Sequence, residues 1–317
     1  MPTKAGRVVL MAKMTGWWKR GASPTRAPSL PASPSDVEVR TDAHQELSSS
    51  DWAGPLLRLA RLDAAASFSP EEGAPIIASA RRALKRFADD PQRLPRRPQL
   101  LPQLLSTLND SDASSRDIAA VIARDPALAA NLLKLANSAL YRRHEAAVES
   151  LDRAVAMVGV EGLRHLVAVA LMQPVMRVEG GAFGRLPDLI WDHTQRTSLI
   201  AAQAVRSGGR EDVFAAQLLG LLQGLGAIVV VQVLRDTCLA SSALPDTGAV
   251  SHLLRRWSPR IGRAVAREWD LSARLIQALD EQGAEDIAAM GALARALAFA
   301  APEASDAMEA SPVADAA

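Results

Sequence analysis

An all-α fold follows from three features of this sequence. Apolar residues recur at helical spacing along most of the chain, helix-start signals stand directly before several of those runs, and no stretch of any length alternates with period two or carries a hairpin dipeptide. With 317 residues, 49% of them hydrophobic, the chain holds enough apolar material for one large core or two small ones.

Residues 1–50 are rich in Pro, Ser and Thr, with "SPTRAPSLPASPSD" at their centre, and such a composition cannot offset its ordering entropy by burial. A disordered tail is expected there, with Met11 and Met14 as alternative starts to Met1. Trp17-Trp18 before Lys19-Arg20 would suit a membrane surface, but no apolar helical face surrounds them. From Asp51 to residue 97 the pattern predicts a helical extension and a basic linker. "SPEE" at Ser69–Glu72 is a capping box with proline at the first helical position, and Ile76, Ile77, Ala80, Leu84 and Phe87 follow on one face.

The block 98–285 reads as one compact helical domain. Leu100, Leu101, Leu104, Leu105 and Leu108 outline one helix, Ser114 with Asp117 caps the next, and Asp125-Pro126 opens a third whose Leu128, Leu132, Leu135 and Ala136 share a face. Asn137-Ser138 breaks that run, so Leu135, Asn137, Ser138 and Tyr141 are expected to form a structural junction. Ser150 starts a helix that ends near Gly159, and "VEGLRHLVAVALMQPVM" continues as another apolar segment. Residues 286–317 are expected to be a short helix and an acidic disordered tail, "APEASDAMEASPVADAA".

Charge and cysteine content narrow the function classes. Lys and Arg number 36 against 35 Asp and Glu, a net charge of +1 that declares neither a nucleic-acid binder nor an acidic tail protein. Basic residues do gather at Arg81, Arg82, Lys85, Arg86, Arg93, Arg96 and Arg97, and again at Arg255, Arg256, Arg260, Arg263 and Arg267. No aromatic interleaves the first group, so solvated helix faces are the expectation and nucleic acid is not. The lone Cys238 cannot form an internal disulfide, and "VVLMA" stops at Lys13, short of a secretory signal, so a cytoplasmic setting is expected. Val213–Leu234 is long and uncharged enough to cross a bilayer, but three glutamines and three central glycines favour a buried helix, or a helix pair broken at the glycines.

The segments "NDSDASSRDIAAVIARDPALAANLLKLANSALYRR" and "VESLDRAVAMVGVEGLRHLVAVALM" resemble the HDOD domain, an output domain of bacterial signalling proteins related to the HD metal-dependent phosphohydrolases. The resemblance implies a multi-helix HD-like bundle and a set of inherited metal-ligand positions. His193, in "LIWDHTQRTSLIAA", matches the superfamily's first histidine; Gln223-Gly224, in "LLGLLQGLGAIVVV", stands where the superfamily has histidine-aspartate; Ser258 and Gln282 fall where relatives can carry histidine. A neutral amide is a poor donor and glycine supplies none, so no metal, no cofactor and no catalytic residue are expected, and His193 is expected to be a satisfied core side chain.

On this basis the chain is expected to be a non-catalytic regulatory protein whose partners are other signalling proteins, with a link to cyclic-dinucleotide pathways. Two alternatives stay open: a divergent phosphohydrolase or phosphodiesterase with a rebuilt metal site around His193, and a nucleic-acid-linked regulator using the two arginine groups. "GLLQGLG" lacks the lysine and hydroxyl of a phosphate-binding loop, and Cys238 is expected to be an inert thiol.

Overall fold

The computed structural model describes residues 51–62, 69–109, 114–141, 148, 150–176, 181–206, 210–239, 244–284 and 286–310. The Pro/Ser-rich residues 1–50 and the last residues, 311–317, lie outside that set. Eleven α-helices and no strand form among the described residues.

Local chemistry sets the helix starts. In α2 (Pro70–Asp89) Ser69 accepts from the Glu72 amide while the Glu72 carboxylate accepts from the Ser69 amide, and in α4 (Ser115–Ile122) Ser114 and Asp117 repeat the reciprocal box. The bonds from each serine hold the Glu72 and Asp117 carboxyls below their ordinary pKa. Asp125 opens α5 (Pro126–Ala136) by accepting from the amides of Ala127 at 2.9 Å and Leu128 at 3.1 Å. α6 (Leu151–Met176) is interrupted at Gly159, whose φ of 68° lies where glycine is favoured, so the two apolar segments on either side point differently.

The core is organised around α8 (Arg210–Cys238), which runs unbroken through Gln223-Gly224 and buries every residue from Phe214 to Val231. Among the described residues it is the helix long and apolar enough to cross a membrane, and 94% of its apolar window is buried inside the fold. α7 (Leu186–Ala204), α9 (Thr247–Glu268) and α6 pack on it. Its glycines do not break the helix; they let neighbours approach. A side-chain carbon added at Gly220 would stand 2.8 Å from the Ser198 backbone of α7, and one added at Gly262 of α9 would stand 2.7 Å from the Leu222 carbonyl. Each helical glycine costs about 1 kcal/mol relative to alanine, less than the ~1.5–3 kcal/mol that burying one leucine contributes.

The buried core extends beyond residues 98–285 on both sides. α1 (Ala53–Leu59) and α2 place Leu56, Leu57, Ile77 and Leu84 in the same core as the central helices, so residues 51–97 are not an appendage. The expectation of a short helix and disordered tail after residue 286 is corrected by α11 (Ala292–Ala310), a helix of 19 residues that packs on α7. Ala294, Leu297, Ala301, Ala304 and Met308 line its inner face. Small residues allow that close approach, and they also make the stripe read as low complexity.

Candidate functional site

Three of the five positions singled out by the resemblance come together. His193 on α7 and Gln223 and Gly224 on α8 line one cavity of about 10 Å³, with Thr194, Thr197 and Trp52 among the remaining walls. That volume is about one water molecule. Gly224 packs directly against the Thr194 side chain, so the space an aspartate would need is already filled. The helix faces that meet here are small on one side and hydroxyl-bearing on the other, and Thr194 turns its own hydroxyl back to the Ile190 carbonyl at 2.6 Å.

His193 is engaged through Nε2 and through one face of its ring. Nε2 lies 2.8 Å from the Ala301 carbonyl of α11; a carbonyl only accepts, so the proton sits on Nε2. Trp52 stacks on the imidazole with ring centroids 5.1 Å apart and planes 16° from parallel. Burial pushes the pKa down to about 4, against a smaller upward pull from the Ala301 bond, so the ring is neutral at pH 7. Trp52 is itself held by the Ser305 hydroxyl of α11, which donates to its carbonyl at 2.7 Å, and by Asp51, which accepts from Ser251 of α9.

Ser258 and Gln282 lie elsewhere. Ser258 on α9 is buried with its hydroxyl donating to the Leu254 carbonyl at 2.5 Å, and its own carbonyl abuts Gly226. Gln282 ends α10 (Ala273–Glu281) and donates to the carbonyls of Ala278 at 3.1 Å and Ala294 at 2.9 Å, tying α10 to α11. No group of three His, Cys, Asp or Glu residues among the described residues is arranged to hold a metal.

A second polar cluster marks the end of α5. Asn137 donates to the Leu133 carbonyl and the Val148 carbonyl, both at 2.8 Å, and accepts from the Val148 amide at 2.7 Å, so one side chain closes the helix and anchors the returning chain. Leu135 is buried, Ser138 is half-buried with its carbonyl accepting from the Tyr141 amide, and the Tyr141 hydroxyl meets His165 Nε2 on α6 at 2.7 Å. Burial drives the His165 pKa down to about 3 and the Tyr141 pKa up.

The arginine groups separate. Arg81, Arg82, Lys85 and Arg86 are exposed on α2; on α9, Arg263 pairs with Asp280, Arg255 stands 4.0 Å from Asp51, and Arg260 lies over the Trp257 ring at 5.4 Å. Cys238 is buried at the end of α8, and burial pushes its thiol up, away from the reactive thiolate.

Sequence reasoning passed over Trp52 and Ala301. "DWAGPLL" carries a helix-start aspartate and one tryptophan, and nothing local says where that ring goes; a backbone carbonyl has no sequence signal at all.

The HDOD domain family model matches residues 94–284. Among solved structures, a provisionally named phosphohydrolase from Shewanella amazonensis is 26% identical, with 72% of this chain and 81% of that one covered at a TM-score of 0.50. An HDOD domain protein of unknown function from Geobacter sulfurreducens is 21% identical over 73% of this chain and 78% of its own, also at 0.50, a likeness of fold alone. An uncharacterised protein of Treponema pallidum is 25% identical over 200 residues; this chain spans only 38% of its length.

Proposed function

The chain belongs to the HDOD domain family, and from that premise we propose that it is a non-catalytic regulatory protein of bacterial signalling, acting in the cytoplasm by binding other proteins. The observation that carries this reading is the closure around His193. A hydrolytic metal centre needs several anionic or imidazole donors, an activated water and open coordination positions facing substrate. The residues present do not fit one. With Nε2 donating to Ala301, His193 has one nitrogen lone pair to offer, Gln223 offers a neutral amide, Gly224 offers nothing, and the shared cavity of about 10 Å³ has no room for a phosphoester. Ser258 and Gln282, which the resemblance placed in the same set, spend their polar atoms on neighbouring backbone.

The phosphohydrolase name of the Shewanella relative belongs to that protein, and the closed geometry around His193 supports the non-catalytic reading here. The nucleic-acid alternative finds less support in the α9 arginines, two of which face carboxylates.

The test is elemental analysis of the purified full chain together with hydrolysis of bis-p-nitrophenyl phosphate in added manganese. We expect metal well below one equivalent and no turnover above solvent. One tightly held equivalent accompanied by hydrolysis returns the chain to the phosphohydrolases.

A further inference from the structure

A second concavity, far larger than the one at His193, opens where the linker before α3 (Leu101–Asn109) meets the start of α5 and the second half of α6. Its volume is about 490 Å³, inside the range of roughly 300–1,000 Å³ typical of small-molecule sites. The inner wall is apolar, with Leu128 from α5 and Leu171 and Val175 from α6. The polar groups around it carry a net positive charge. Arg96 from the linker and Arg124 from the turn before α5 are exposed and make no ion pair among the described residues, and the half-buried Asn131 amide has no side-chain partner there either.

Asp125 is the one carboxylate in the lining, and its Oδ1 already accepts two amides of α5. It therefore leaves the lining with an excess of positive charge and does not occupy the guanidinium donors. The linker wall is also pre-formed. Trp269 donates its indole N–H to the Pro95 carbonyl at 2.8 Å, and Arg97 donates to the Trp269 carbonyl at 3.0 Å, so the residues on both sides of Arg96 are fastened to the end of α9. A fixed wall spares a ligand the cost of ordering it.

We propose that this cavity binds a small organic anion, a phosphate or carboxylate joined to an apolar body, with Arg96 and Arg124 taking the charged head and Leu128, Leu171 and Val175 taking the body. Planar guanidiniums match both kinds of head group, and a purely hydrated ion would leave the apolar wall uncovered. The inference goes beyond the regulatory reading and stands whether or not that reading holds, because the cavity shares no residue with the His193 site.

The experiment titrates the full chain with anilinonaphthalene sulfonate, an anionic dye with an aromatic body, and with neutral phenylnaphthylamine as its uncharged counterpart. We expect one saturable sulfonate site per chain. Ala127→Trp, at an exposed lining position on the first turn of α5, should abolish it, and Arg96→Gln and Arg124→Gln should each weaken it about tenfold while leaving the neutral dye unchanged. Competition by adenosine monophosphate or by octanoate then tells a phosphate head from a carboxylate head. Should Ala127→Trp lower the melting midpoint, the two arginine variants decide alone. Sulfonate binding that survives Arg96→Gln and Arg124→Gln unchanged, or that neither competitor displaces, overturns the proposal.

Discussion

Around His193 the chain closes on itself, whereas at the start of α5 it leaves a cavity open, and the two places differ in how their polar atoms are spent. In the first, Nε2 of His193, the Thr194 hydroxyl and the Ser305 hydroxyl all bond to backbone carbonyls from within the fold, and about 10 Å³ remains. In the second, two guanidiniums and an amide face about 490 Å³ without side-chain partners among the described residues. Buried polar groups are costly unless satisfied, so a closed region is stable only when its groups find partners within the fold. Exposed donors carry no such pressure, and the open cavity keeps its own.

The largest expected effect comes from forcing the closed region open. Gln223→His with Gly224→Asp drives a carboxylate into the Thr194 side chain with no cation to receive it, and should cost about 5 kcal/mol by chemical denaturation. A stable double variant that hydrolyses bis-p-nitrophenyl phosphate with manganese would erase the contrast between the two regions. Trp52→Ala removes the ring stacked on His193 and should cost about 3–5 kcal/mol, without gain of metal binding in elemental analysis.

Acid sharpens the same distinction. His193 titrates at about 4 in the folded chain against 6.5 ordinarily, so its contribution is complete above pH 6.5 and is lost as the pH falls toward 4, by about 3 kcal/mol. His193→Gln keeps an N–H for the Ala301 carbonyl and does not titrate; the drop in stability between pH 7 and 4 should be smaller in that variant by the same amount. A pH profile identical to the parent chain would mean that the imidazole is hydrated. Asn137→Ala at the end of α5 removes three backbone bonds and should cost about 2 kcal/mol by calorimetry. Arg96→Gln and Arg124→Gln should fall within about 0.5 kcal/mol of the parent, since both side chains are exposed and make no ion pair among the described residues.

Much of the fold was legible because its signals are local. The two capping boxes and the Asp125-Pro126 start lie within three or four residues of the amides they satisfy, and the junction asparagine sits at the point where the leucine face of α5 ends. Gln223 and Gly224 stood out in the sequence as a polar residue and a glycine in the middle of an apolar run, and both prove buried in the unbroken α8. α11 was not legible. Its inner face is mostly alanine, which buries little area and gives a weak apolar rhythm, and Pro302 interrupts the pattern from within the helix. Ser258 and Gln282 follow from an alignment of positions, but a position in sequence does not say which way a helix turns its side chain, and both turn to nearby carbonyls.

By itself the sequence determined that the chain is helical, where most of its helices begin, and that the residues meeting at His193, Gln223 and Gly224 are short of metal donors. Those properties depend on backbone amides seeking partners a few residues away and on the chemistry of single side chains. Tertiary structure alone decided that the gap would be closed rather than left open. The imidazole finds its acceptor 108 residues further on, and the Trp52 carbonyl finds its donor 253 residues away, from α1 across to α11. No local rule spans that distance; only the packing of small-faced helices against one another brings those atoms together.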